Sequence, residues 1–147
     1  MMNNVMQEER LSLKAQNFEE CDILSALLQD SILPFSFRSF HEDKKCLRLL
    51  LNRFCWESIN SFDREKCHFR VHAGLYIYNV DYVRTYGDMA ENRYLNLLAL
   101  HSSPTEINLI FSGNKQICVG INRLLVYMKD LHVKYPTLSL PVHHDLS

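Results

Sequence analysis

Apolar residues recur along this chain with two different periods, and the switches between them predict the order of the elements. Leu11, Leu13 and Ala15 alternate with polar neighbours, the spacing of a short half-buried strand. Asn17 then stands as a helix N-cap, with Glu20 at the spacing of a capping box. Glu19, Glu20 and Asp22 suit the positive end of a helix. Cys21, Leu24, Leu27, Leu28 and Ile32 follow at helical spacing, predicting a helix over 18–30. Pro34 marks its limit, because a proline ring disfavours helical geometry in the residue before it.

From Phe35 the period becomes two. Phe35, Phe37 and Ser39 share a face, the polar run 41–45 reads as a turn, and Leu47, Leu49 and Leu51 alternate back as a hairpin. Residues 57–66 are polar and irregular and read as a loop. In 67–86 the apolar positions are odd from Phe69 to Ile77 and even from Val80 to Tyr86. A strand that slips by one residue turns every side chain over, so a bulge or a sharp bend is expected near 78–80. Leu95-Asn96-Leu97-Leu98-Ala99-Leu100 reads as a strand buried on both sides. Ile107, Leu109 and Phe111 pair with Ile117, Val119 and Ile121 across Gly113-Asn114, the residue types of a tight two-residue turn. Asn122 is placed to cap a C-terminal helix carrying Leu124, Leu125, Met128 and Leu131, and Pro136 and Pro141 bracket an extended tail.

The expected fold is α+β: a strongly bent antiparallel sheet of about seven strands, joined by short turns. One helix follows the first strand and one closes the chain, an arrangement similar to a pleckstrin-homology-like roll. Residues 1–9 are expected as a disordered tail and 10–147 as a single domain.

Composition narrows the class. Gly and Pro are sparse at four each, the apolar content is 47%, and 147 residues suffice for a core without disulfides or metal. The five cysteines are odd in number, lack any CxxC pair and lie in or beside apolar segments, as buried thiols of a reducing compartment do. With no apolar signal at residues 1–10 and no run of membrane-spanning length, the expected location is cytoplasmic, with no membrane partner. The formal charge of −1 argues against a dedicated nucleic-acid binder.

No phosphate loop, nucleophile elbow, zinc knuckle or calcium loop occurs, so catalytic residues stay unassigned and no cofactor is expected. Cys67, His68 and His72, and separately His143-His144-Asp145, have ligand chemistry but lack a full metal set, and no metal is expected. Cys55 beside Arg53 has the character of a nucleophile only if His41 or His101 stands against it. Arg48, Arg53, Arg64, Lys66, Arg70, Arg84 and Arg93 interleave with Tyr76, Tyr78, Tyr82 and Tyr86, a composition that sheet proteins use on single-stranded nucleic acid. The same tyrosines and Trp56 also suit a protein interface.

Leu24 to Asp30, Leu51 to Glu57 and Leu95 to Leu100, followed by Ile110-Phe111-Ser112-Gly113, Asp130-Leu131 and Pro141-Val142-His143-His144-Asp145, resemble the alphaproteobacterial domain-of-unknown-function 2948 family. The resemblance covers the chain from about Leu11 and implies a bacterial cytoplasmic protein, with no reaction attached. The family favours Asp where this chain has Cys55, which weakens the thiol idea. It also favours a more glycine-rich turn at 112–115 and an acidic pair near Gly120 and Asn122.

The function expected first is a non-enzymatic interaction module, binding another protein or a second copy of the chain. A small enzyme comes second, its polar site formed where the first helix meets the 47–56 strand; single-stranded nucleic-acid binding comes third. The candidate binding residues are Gln29, Asp30, Asn52, Arg53, Trp56 and Glu57.

Overall fold

The computed structural model describes residues 10–34, 38–58, 68–89, 94–131 and 135–137. The first strand, β1 (Ser12–Ala15), leads into α1 (Phe18–Leu28). Asn17 holds an extended φ of −146° and its side chain accepts from the Glu20 N–H at 2.9 Å. Glu20 in turn accepts from the Gln16 N–H at 2.8 Å, one residue earlier than the usual reciprocal partner. Asn17→Ala is therefore expected to cost about 1 kcal/mol, read as a lowered midpoint in thermal denaturation. Cys21, Leu24 and Leu28 are the buried face of α1, which packs on β7 (Tyr94–Ser102) and β1. Ser25 fastens it by accepting from the Leu100 N–H at 2.9 Å, beside the irregularity between Leu97 and Ala99.

The helix stops two residues short of the predicted limit. At Asp30 the chain turns through φ +64°, a left-handed position that Asp tolerates, and the Asp30 N–H donates to the Leu97 carbonyl at 2.7 Å. Ile32, which continued the helical spacing, instead lies in β2 (Ser31–Pro34). The strand joins β7 and also touches β4 (Cys46–Phe54) through the pair Ile32 and Asn52.

The remaining strands are β3 (Arg38–His41), β5 (His68–Ile77), β6 (Val80–Tyr86), β8 (Glu106–Phe111), β9 (Lys115–Ile121), β10 (Val126–Asp130) and β11 (Tyr135–Thr137). A short 3-10 turn covers Trp56–Ser58. The sheet runs β1-β10-β5-β4-β2-β7-β8-β9-β6, with β3 also on β4 and β11 also on β5, and every pairing is antiparallel. Consecutive strands β5 and β6 lie at distant places in that order, so the sheet must curl back on itself. The corner is Tyr78-Asn79, where Asn79 takes φ +58°. Tyr78 N–H donates to Leu125 O at 3.0 Å and Asn122 N–H to Asn79 O at 3.1 Å, which fixes the two ends of the curl to each other. The phase change expected near 78–80 is this corner. Inside the curl, Leu49, Leu51, Leu75, Ile77 and Met128 meet Leu95, Leu97, Leu109, Phe111 and Val119 in one cluster. Each such side chain contributes about 1.5–3 kcal/mol by leaving water.

The predicted fold class needs correction. Among the described residues eleven strands and a single α-helix replace about seven strands and two helices, so these residues are mostly sheet rather than α+β. The C-terminal helix of a pleckstrin-homology-like roll is absent from the described residues: 126–130 is the strand β10, filling the place between β1 and β5. Asn122 caps nothing; its side chain donates to Asp81 at 3.1 Å. Val126, Met128 and Asp130 face inward while Lys129 is exposed, a period of two that the leucines before it had disguised. Two tight backbone neighbours supply hydrogen bonds that an isolated helix would have had to make alone, and tertiary pairing outweighs the weak helical preference. The 107–121 hairpin forms as expected, although three residues rather than two separate its last pair, Phe111 and Lys115. Gly113 and Asn114 carry the positive φ values there, +79° and +59°. The tail 1–9, Phe35, Phe37, most of the 57–66 loop and Pro141 lie outside the described residues.

A candidate binding groove on the outer sheet face

Strand registry orders the side chains on the outer face of the first half of the sheet into rows. Lys14, Tyr127, Tyr76 and Arg48 form one row across β1, β10, β5 and β4. Ser12, Lys129, Gly74 and Leu50 form the next. His72, Asn52, Ile32 and Asn96 form the third, across β5, β4, β2 and β7. Tyr135, Arg70 and Phe54 close the face.

Because β2 meets β4 through one residue pair, the outer face parts there into an open groove of about 710 Å³. Ile32, Pro34, Leu50 and Tyr94 supply its apolar walls, and Asn52, His72 and Asn96 its polar groups. The size falls within the range of small-molecule sites. At one end Asn52 Nδ2 donates to the Tyr135 hydroxyl at 2.7 Å, and the His72 and Tyr135 rings lie 5.9 Å apart. Asn96 Nδ2 donates to Asp30 Oδ1 at 3.4 Å, which draws the buried Asp30 to the same side. Arg70 donates to the Asn52 carbonyl at 3.2 Å and lies 5.6 Å from the Phe54 ring. Burial pushes the Arg70 guanidinium below its ordinary range, opposed by Tyr135, Asp30 and Cys55.

The inner face of the same strands does different work. Arg53 is wholly buried and donates through Nε and Nη2 to the two carboxylate oxygens of Asp130, at 3.2 and 3.0 Å. Its Nη1 and Nη2 also reach Glu57 at 2.8 Å each. Asp130 further accepts from the Leu11 N–H at 3.0 Å, so one carboxylate ties β1, β10 and β4 together. Burial alone would push the Arg53 guanidinium down, but the hydrogen bonds and charges of Glu57 and Asp130 outweigh it and raise it above an ordinary arginine. With these donors and acceptors matched, the cluster is a structural staple.

The six predicted site residues are thus neighbours divided by the sheet. Asp30 and Asn52 stand on the groove side; Arg53 and Glu57 stand with Asp130 on the other. Gln29 contributes its carbonyl, which accepts from Trp56 Nε1 at 2.7 Å, while Trp56 packs edge-on against Phe54 at 4.6 Å. Cys55 is completely buried. Among the described residues no group of three or more His, Cys, Asp or Glu is placed to hold a metal. Of the interleaved cations, Arg48 and Arg70 share the outer face with Tyr76, Arg53 points inward, and Arg84 sits with Tyr82 and Tyr86 on β6. Cys67, Arg64, Lys66, Arg93 and the C-terminal histidines lie outside the described residues. Sequence reasoning missed Lys14, Lys129, Asn96 and Tyr135 as companions of Asn52. Only even-numbered alternation on 48–54 and 70–76 hinted at a shared face.

Fold and groove together define a single curled antiparallel sheet with an open recess on its outer face. The chain belongs to the family described as protein of unknown function (DUF2948), whose model matches residues 11–143. No curated protein and no solved structure matches it. Among the described residues no helix is long and apolar enough to cross a membrane.

Proposed function

We propose that this protein is a non-enzymatic interaction module that engages its partner through the outer sheet face. The groove of about 710 Å³ carries the reading: it joins apolar walls to polar groups from three different strands. Such a recess gives an inserted group both burial and orientation. The polar residues that would have formed an enzyme site at the end of α1 are instead split, with Arg53 spent on a buried ion pair with Asp130 and Glu57 bound to the same guanidinium. The module is assigned to the bacterial cytoplasm, an assignment supported by the buried thiols Cys21, Cys46, Cys55 and Cys118 and the resemblance described above.

Native mass spectrometry of the full chain, purified gently from its own kind of cell, tests the reading. Wild type is expected to retain a second mass, and Leu50→Glu, which puts a carboxylate into the groove, is expected to lose it. A bare wild-type monomer, or retention indifferent to Leu50→Glu in a variant with unchanged circular dichroism, would count against the groove.

A further inference from the structure

Charge on this molecule is segregated by face. The chain carries a formal −1, yet the outward positions of β1, β10, β5 and β4 hold Lys14, Lys129, Arg48 and Arg70 and no carboxylate. Asp130, the acid within these strands, points inward to Arg53. The adjoining turn, Glu42-Asp43-Lys44-Lys45, adds no net charge. Lys14, Lys129 and Arg48 are exposed.

Aromatic rings lie among these cations. Tyr76 is half-buried, and its ring lies across the space above Gly74: a Cβ there would sit 2.5–2.7 Å from Oη, Cε2 and Cζ. The missing side chain lets the hydroxyl end of the ring lean over the strand at Gly74. Tyr127 is its cross-strand neighbour, with Lys14 Nζ at 6.0 Å from the Tyr127 ring centre and the Tyr78 ring at 6.3 Å. A second tyrosine, Tyr82, lies over Gly120 in the same way on β6. There, however, the hydroxyl donates to Glu106 at 2.6 Å and Arg84 covers the ring at 4.4 Å. That pair is internally satisfied and carries a carboxylate, so it makes a built-in comparison.

We infer that the Lys14–Tyr127–Tyr76–Arg48 row, with Lys129 and Arg70 beside it, binds single-stranded nucleic acid. This assignment rests on the outer face being the binding surface, and it names the partner's class. A polyanion alone would need only the cations. An outward tyrosine leaning over a glycine among the cations adds a stacking surface, and bases supply stackable faces between phosphates at regular spacing. Antiparallel sheets bind single strands in this manner, by stacking bases on outward aromatics with basic residues along the backbone path. Duplex fits poorly, since its bases are already stacked and no element of this face is shaped to enter a groove.

Fluorescence anisotropy with labelled single-stranded RNA and DNA oligonucleotides, titrated with the full chain at low and physiological salt, is the test. Saturable binding is expected, with an affinity that falls as salt rises, by about 0.7 in log–log slope for each phosphate neutralised. Tyr76→Ala is expected to weaken it by roughly 5- to 100-fold, the cost of losing one stacked base. The exposed double variant Lys14→Glu/Lys129→Glu is expected to weaken it and reduce the salt slope. Arg84→Glu, a single charge reversal beside the comparison tyrosine, is expected to leave binding within twofold, where Lys129→Glu alone weakens it. Absence of saturable binding at low salt would overturn the assignment, as would equal loss from Arg84→Glu or equal affinity for duplex. Binding to phosphatidylserine vesicles that needs the lysines but ignores Tyr76 would overturn it in favour of a lipid surface. A retained protein mass that Leu50→Glu abolishes, with no oligonucleotide binding, would sink this assignment while leaving the outer-face reading intact.

Discussion

Arg53→Ala is expected to lower the free energy of unfolding by about 3–5 kcal/mol, because it strands Asp130 as a buried charge without its partner. Asp130 is almost completely buried and accepts from both Arg53 and the Leu11 N–H. A domain of this size has only about 5–15 kcal/mol in all, so the variant should sit near the edge of folding. Urea denaturation at neutral pH measures the loss. Glu57→Gln should cost much less, since its side chain is 25% exposed and water can replace what it gives Arg53. The apolar double variant Arg53→Met/Asp130→Leu should recover much of the stability lost by Arg53→Ala, since neither charge then remains buried. An Arg53→Ala protein within about 1 kcal/mol of wild type would show that the staple is not holding the three strands together.

Val126→Asp should abolish cooperative folding, or reduce stability by several kcal/mol, by placing an unpaired carboxylate in the core. The position separates the two readings of 122–131. On a helix carrying Leu124, Leu125, Met128 and Leu131 inward, Val126 would fall on the opposite, solvent face and accept Asp easily. In the strand it is fully buried opposite Ile77 on β5 and Ala15 on β1. Lys129→Ala, exposed on the same strand, should change stability by less than about 0.5 kcal/mol and serves as the control. A well-folded Val126→Asp protein with a near-native melting curve would contradict the placement of β10.

Where local pattern and global pairing agree, the chain could be read directly. The alternation of Leu47, Leu49 and Leu51, the 107–121 hairpin, and the Asn17 cap are all in place. The helix boundary and β10 were not legible, for a common reason. Both segments follow leucines spaced for a helix, Leu24, Leu27 and Leu28 in one case and Leu124 and Leu125 in the other, and both are claimed by strands that arrive from elsewhere: β4 and β7 for residues 31–34, β1 and β5 for residues 126–130. Short apolar runs carry no label that separates the two outcomes.

The candidate site residues divide in the same way. The sequence offered Gln29, Asp30, Asn52, Arg53, Trp56 and Glu57 as a group only if the first helix packs beside the 47–56 strand, and the structure brings these residues into one neighbourhood. Adjacent residues on a strand point to opposite faces, so Asn52 joins the groove while Arg53 enters the core. Asp130, the partner that turns Arg53 from a candidate ligand into a staple, is distant in sequence and was itself assigned to a helix.

By itself, then, the sequence determined the capped N-terminal helix, the hairpins and the corner near 78–80, because these depend on neighbours within a few residues, and the family, because its segments recur in order along the chain. Tertiary structure alone decided which strands lie side by side. Registry between strands far apart in the chain gathered Lys14, Arg48, Tyr76, Tyr127 and Lys129 onto one face and opened the groove beside them.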